Sequence, residues 1–278
     1  MASLARQVRI FQENWRYVSL VAVCVTALLF GAVERGEAQH MLAPAPLAES
    51  SSPANAVRSA PSTIVIGFMG GMVKRNEPNR SEVQLAAKLR EEYSNTAYVD
   101  TYENARWKEA EQTILKLLDT DKDGKLSEDE KRHARIILFG HSWGASATVT
   151  LAKALGDLGI PVLLTVQVDS VQKMGQKDDI IPANVQEALN FFQPDGILHG
   201  RKLIRAEDTS KTKILGNYEM NYKHTALVCQ GYPWHQRVFA REHMDIECDP
   251  EVWTQIGSLI RSKLPQMQAQ TQTLSQGK

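Results

Sequence analysis

IILFGHSWGASATVTLAKAL, residues 136–155, is the stretch on which the fold turns. It opens with four large apolar residues, Ile136–Phe139, the run expected of a strand buried on both faces. It closes on Ala145–Leu155, whose small and apolar residues suit a helix packed close to its neighbours. Between them stands Gly140-x-Ser142-x-Gly144. A strand that turns straight into a helix leaves no room for side chains two residues either side of the turning residue, hence the glycines. The serine at the apex is held in a strained conformation with its hydroxyl at the helix N-terminus. There the helix dipole and free N–H groups favour the negative charge that develops during acyl transfer, and the Trp143 N–H is one donor to it.

Working outward, Thr63–Phe68 (TIVIGF) and Pro161–Val168 (PVLLTVQV) read as further buried strands, and Ala97–Tyr102 (AYVDTY) as another. A helix from Ser81, its cap, through Tyr93 places Val83, Leu85, Ala86 and Leu89 on one side. Residues 105–118 form an amphipathic helix, and a last one runs from about Pro250 to Lys263. Val185–Leu189 is expected to be helical and Asn190–Gln193 to open a late strand. Strands alternating with helices predict an α/β fold, a mainly parallel sheet flanked by helices.

The order of these motifs resembles the α/β-hydrolase superfamily, specifically its small lipase, esterase and thioesterase-like branch, over roughly residues 62–264. The resemblance implies a catalytic triad in the chain order serine, acid, histidine. Asp169, at the end of the strand after the nucleophile helix, is the expected acid, with Asp195 or Asp208 one strand later as alternatives. His243, just before the final helix, is the expected base. His224 is the runner-up, and His199 and His235 also follow the serine. Gly67–Gly71 takes the place of the family's oxyanion loop, with the Phe68 N–H as second donor and Met69 as the alternative. Many members have His-Gly where this chain has Ile66-Gly67. A phosphate-binding loop is set aside because no Gly-Lys-Ser/Thr follows.

A second motif carries different chemistry. Asp119-Thr-Asp121-Lys-Asp123-Gly-Lys125-Leu-Ser127-Glu-Asp-Glu130 has the EF-hand spacing of oxygen ligands, with Lys125 offering only its carbonyl. Twelve residues so spaced can wrap oxygens around one Ca2+, whose role here is expected to be structural. The motif would be an EF-hand-like insertion before the nucleophile strand, with little room for an exiting helix and no second hand to pair with.

The ends of the chain have a different character. Arg6, Arg9 and Arg16 precede an uncharged apolar run, residues 17–33, so residues 1–38 read as an export signal, cleaved or retained as a membrane anchor. Residues 39–62, rich in Ala, Pro and Ser, read as a flexible linker to the hydrolase domain at 63–265. Residues 266–278 read as a polar disordered tail. In an oxidising compartment Cys229 and Cys248 could form an intrachain disulfide. Lys plus Arg and Asp plus Glu both total 32, a balance that argues against nucleic acid as a partner. The expected function is an exported serine hydrolase acting on a carboxylic ester, lipid or thioester. An inactive calcium-stabilised binding protein and a peptide hydrolase on the same fold are the alternatives. Residues 171–184 and 193–223 are the expected cap elements; Phe191, Phe192 and Trp234 are candidates to line a pocket, with burial in the core the more ordinary reading.

Overall fold

The computed structural model describes residues 63–265 apart from 174, 226, 233 and 235–239; the expected export segment, linker and tail lie outside them, as does His235. Among the described residues no helix is long and apolar enough to cross a membrane.

Six parallel strands form the main sheet: β1 (Thr63–Met69), β2 (Ala97–Glu103), β3 (Ile136–His141), β4 (Val162–Val168), β6 (Val185–Phe192) and β8 (Lys213–Glu219), in the order β2-β1-β3-β4-β6-β8. Two short strands, β5 (Ile180–Ile181) and β7 (Arg205–Ala206), pair separately. From β1 the chain crosses outward to β2, and from β3 it crosses the opposite way to β4. Connections that diverge from neighbouring parallel strands open a crevice at their C-terminal ends, where ligands of α/β sheets bind.

Helices cover both faces. Alternation along β1 sends Ile64, Ile66 and Phe68 to one side, where they meet α2 (Trp107–Leu118) and α4 (Trp143–Asp157) through Ala110, Ile114, Leu151 and Leu155. Val65, Ile137 and Phe139 face the other side, against α1 (Ser81–Glu92) and α6 (Pro250–Lys263). Burying one leucine of this kind contributes about 1.5–3 kcal/mol, so these two layers supply most of what holds the sheet in place. Among the described residues the other helices are α3 (Glu128–Arg132), α5 (Arg241–Cys248) and a single 3-10 turn at Asn104–Arg106.

Two expectations need correction. Val185–Leu189 is not helical: the whole of Val185–Phe192 is one strand, paired with β4 on one side and β8 on the other. Gln186, Glu187, Ala188 and Leu189 favour a helix locally, but the open ladder between two strands and the burial of Ala188 and Leu189 override that preference. Ser81 is the first residue of α1 rather than its cap, which is Arg80. Phe191 and Phe192 are core residues, whereas Trp234 is exposed. The chain also forms β8 and α5, which the sequence pattern did not indicate.

Candidate active site

Ser142 caps α4 at the C-terminal end of β3, with φ 57° and ψ −124°. A non-glycine residue in that region is strained, and the neighbours show what maintains it. Ser142 N–H donates to the Val168 carbonyl at 2.9 Å, and the Ser142 carbonyl accepts from Ser146 N–H at 3.2 Å. A Cβ on Gly140 would stand 2.6 Å from the Gly144 carbonyl carbon, and one on Gly144 would overlap the Phe68 carbonyl. The two glycines thus let α4 start against the ends of both β1 and β3.

The three residues expected to form a triad come together. His243 Nε2 lies 2.8 Å from Ser142 Oγ, and His243 Nδ1 lies 2.6 Å from Asp169 Oδ2. All three are buried. The bond from Nδ1–H to the carboxylate leaves Nε2 as the lone-pair nitrogen facing the hydroxyl.

Asp169 follows β4 directly and also has a positive φ, 44°. Its carboxylate is held on every side. Oδ1 accepts from the backbone N–H of Gln193 at 3.1 Å and of Gly200 at 2.7 Å. Oδ2 accepts from Gln193 Nε2 at 2.9 Å as well as from His243. Any side chain at position 200 would collide with the Asp169 backbone, so a glycine is needed for that N–H to reach the carboxylate. The alternative residues make none of these bonds: Asp195 is half-buried, its Oδ2 without a partner among the described residues, Asp208 caps its own turn through Ser210, and His199 and His224 are exposed.

Phe68 and Met69 end β1 beside the elbow, with Gly70 packed on His141 and Ser142. Asn104 fixes this loop by donating from Nδ2 to the Met69 carbonyl at 3.0 Å and also to the Gly71 carbonyl. Its Oδ1 accepts from Lys173 Nζ, which stands 5.5 Å from the centre of the Trp143 ring. Partial burial holds the Lys173 ammonium below the ordinary lysine range. Sequence reasoning missed both Asn104 and Lys173; no motif marks an asparagine whose partners are carbonyls about thirty residues away.

The 119–130 loop brings part of its expected ligand set together. Carboxylate oxygens of Asp119, Asp121 and Asp123 lie within 4.8 Å of one another. Asp119 Oδ1 is buried with no hydrogen-bond partner among the described residues. Three carboxylates with one orphaned oxygen fit a hard cation. Lys125 N–H donates to Asp123 Oδ1 at 2.7 Å, and Ser127 caps α3. Glu130 closes the capping box with Ser127 and also accepts from Thr120 N–H and Oγ1. These bonds, with Ser127 and Thr120 backbone donors foremost, bring its carboxyl down to about 2.

Cys229 and Cys248 are joined in a disulfide. It ties the segment after β8 to the last residue of α5, the helix that carries His243.

No family model matches the chain, and neither does any curated protein. Among solved structures it is similar to a cutinase-like protein from Cryptococcus sp., at 14% identity over 75% of this chain and 98% of that one, with a TM-score of 0.40. It is likewise similar to a hydrolase of the alpha/beta superfamily from Xanthomonas campestris, at 12% identity over 72% of this chain and 99% of that one, TM-score 0.34. A thioesterase from the prodiginine biosynthetic pathway of Streptomyces coelicolor overlaps at 12% identity over 73% of this chain and 91% of that one, TM-score 0.31. These overlaps are loose, and the fold assignment rests on the strand order and the strand–turn–helix at Ser142.

Proposed function

We propose that the chain is an exported serine hydrolase that cleaves a carboxylic ester, a lipid ester or a thioester through an acyl-enzyme. The observation that carries this reading is the continuous contact Ser142 Oγ–His243 Nε2–Asp169 Oδ2, at 2.8 and 2.6 Å. A serine hydroxyl is a weak nucleophile until a base takes its proton, and a histidine can do so only with the correct nitrogen bare. Asp169 supplies that condition and stabilises the imidazolium once formed.

The chemistry then runs in two halves. Ser142 Oγ attacks the acyl carbon while its proton passes to His243 Nε2. The oxyanion that forms is held by the Trp143 N–H at the start of α4 and by a second N–H from the end of β1, that of Phe68 or Met69. Collapse of this intermediate breaks the bond to the leaving oxygen or sulfur, which takes the proton back from Nε2. A water molecule then repeats the sequence on the acyl-enzyme and regenerates Ser142.

The inactive binding-protein reading is disfavoured because every group of the triad is present and aligned. The test is labelling with a fluorophosphonate, wild type beside Ser142→Ala. Labelling that depends on Ser142 supports the hydrolase; a folded wild type that takes no label overturns it.

Export is supported by the basic-then-apolar N-terminus and by the Cys229–Cys248 disulfide, a bond that persists in oxidising compartments. For Ca2+, Asp119, Asp121 and Asp123 would be the side-chain ligands. The ion would stiffen the turn between α2 and α3 and take no part in acyl transfer. Calorimetric titration of wild type and Asp121→Ala with Ca2+ decides it: heat of binding lost in the variant is expected, and no heat in the wild type refutes it.

A further inference from the structure

Behind the histidine lies a second set of ionisable groups that the acyl-transfer steps leave unused. Arg80, Glu82, His141 and Glu247 are all buried. They come from the cap and first turn of α1, the last residue of β3 and the end of α5. Arg80 Nη1 donates to Glu247 Oε2 at 2.7 Å, with the guanidinium carbon 4.1 Å over the centre of the Tyr232 ring. His141 Nδ1 is 3.5 Å from the same Glu247 oxygen. Its Nε2 is 3.1 Å from the His243 carbonyl, and the two imidazole rings are 4.4 Å apart.

The protonation states follow from these contacts. A carbonyl can only accept, so His141 carries its proton on Nε2. Burial first, then His243 and Arg80, hold His141 well below the ordinary histidine range, so it is neutral. Glu82 has two buried carboxylate oxygens without a hydrogen-bond partner among the described residues. It approaches Glu247 and His141 to within 4.8 Å. Burial, reinforced by the facing Glu247, pushes Glu82 well above the carboxylate range, and burial raises Glu247 as well. The Arg80 guanidinium supplies the positive charge beside these two carboxyls. A divalent cation among the same side chains would stand against the Arg80 guanidinium.

We infer that His141 is a positioning residue for the catalytic histidine. Its Nε2–H fixes the His243 backbone and its ring backs the His243 imidazole, while Glu247, tethered by Arg80, packs beside its Nδ1. The need for it lies in α5. That helix is two turns long, and its N-cap, Ala240, offers no side-chain bond to its free N–H groups. The disulfide holds the far end at Cys248, and Arg241, bonded to the Tyr222 carbonyl at 3.2 Å, and Met244, packed on Cys229 and Tyr232, hold the near end; His243 itself is held by the triad bonds and by the one from His141.

The kinetic consequence rests on the hydrolase reading; the geometric one does not. The experiment therefore pairs two readouts on the full chain, turnover of p-nitrophenyl butyrate and the proton NMR signal of the His243 Nδ1–H that is bonded to Asp169. His141→Ala is expected to lower kcat by about 100-fold, the effect of misplacing a reacting group by about 1 Å. KM should stay within about twofold, and the Nδ1–H signal should broaden by exchange with solvent. His141→Gln, which returns an N–H near the Nε2 position, should recover about tenfold of the lost turnover and sharpen the signal. A folded His141→Ala with unchanged kcat and an unchanged signal overturns the inference, as does a raised KM at constant kcat. If the wild type neither turns over nor takes a fluorophosphonate, the hydrolase reading falls and the NMR comparison still decides the role of His141. Should His141→Ala fail to fold, His141→Phe, which keeps a ring but offers no N–H, replaces it, with the same loss of kcat and broadened signal expected and no change in either refuting the inference.

Discussion

Replacing Asp169 by asparagine isolates what the acid does, because the new side chain has the same shape and one wrong face. The carboxylate accepts four hydrogen bonds, two backbone N–H bonds at Oδ1 and two side-chain bonds at Oδ2. An amide has one oxygen to place. Setting its NH2 at Oδ1 would confront the N–H groups of Gln193 and Gly200, neither of which can turn. Setting it at Oδ2 confronts Gln193 Nε2, which keeps its bond to the Leu198 carbonyl at 2.8 Å, and His243, which can change tautomer. The second orientation is therefore favoured. His243 then accepts at Nδ1 and carries its proton on Nε2, where it points at Ser142 Oγ and cannot take a proton from it. Loss of the correct tautomer in a serine–histidine–aspartate triad costs about 10^4 in kcat, or about 5 kcal/mol of barrier. The stability cost is smaller, about 1–3 kcal/mol for one mismatched buried donor. Turnover of p-nitrophenyl butyrate, with a thermal melt on the same sample, measures both. A folded Asp169→Asn enzyme within about tenfold of wild-type kcat would refute the assigned role.

Three further outcomes follow from the packing around this site. Gly144→Ala puts a methyl into the Phe68 carbonyl; α4 must withdraw, and fluorophosphonate labelling of Ser142 should fall steeply, with a stability loss of about 1–3 kcal/mol in urea. Asp245, buried near the partly buried Arg241, has its carboxyl pushed up to about 6, chiefly by desolvation. Its folded form therefore holds a proton that the unfolded chain has already released, so stability falls as pH rises from about 4 to about 6. Asp245→Asn should flatten that fall and raise the melting temperature at pH 8; an unchanged melting curve across this range would remove Asp245 as the cause. The disulfide closes a loop across a sequence separation of 19. The double variant Cys229→Ser, Cys248→Ser should lose about 3 kcal/mol of unfolding free energy, and equal urea midpoints would refute that contribution.

Much of this architecture could be read from the chain because its central strands are buried on both faces. Thr63–Phe68, Ile136–Phe139 and Val162–Val168 are apolar runs with no competing reading. The elements away from that centre were harder. β6 carries Gln186, Glu187 and Ala188 in its first half, so its local preference opposes the ladder that captures it. β8 forms the sheet edge and is mostly part-exposed, which leaves KILGNYE without an alternation to read. α5 is eight residues with acids and a histidine facing inward, where a sequence pattern would seek leucines.

The candidate site divides along the same line. Ser142 stands out because a backbone constraint wrote itself into the sequence as glycines, and chain order and strand ends singled out Asp169 and His243, which the fold brings into contact with it. The groups that support them were not legible. Arg80 and Glu82 stand at the start of α1 in the sequence NRSEVQ, where a charged residue is the ordinary solvated helix end, and Glu247 reads as another surface acid beside Asp245 and Asp249. Only the fold shows that α1 and α5 turn these ends inward toward the same histidine. The cost of burying these groups is offset in part by the Arg80–Glu247 ion pair and by the bond from His141 to the His243 carbonyl. That gives the x of Gly-x-Ser a reason to be histidine that the turn geometry does not supply. Sterics require only the glycines, whereas the residue between Gly140 and Ser142 answers to the helix that carries His243.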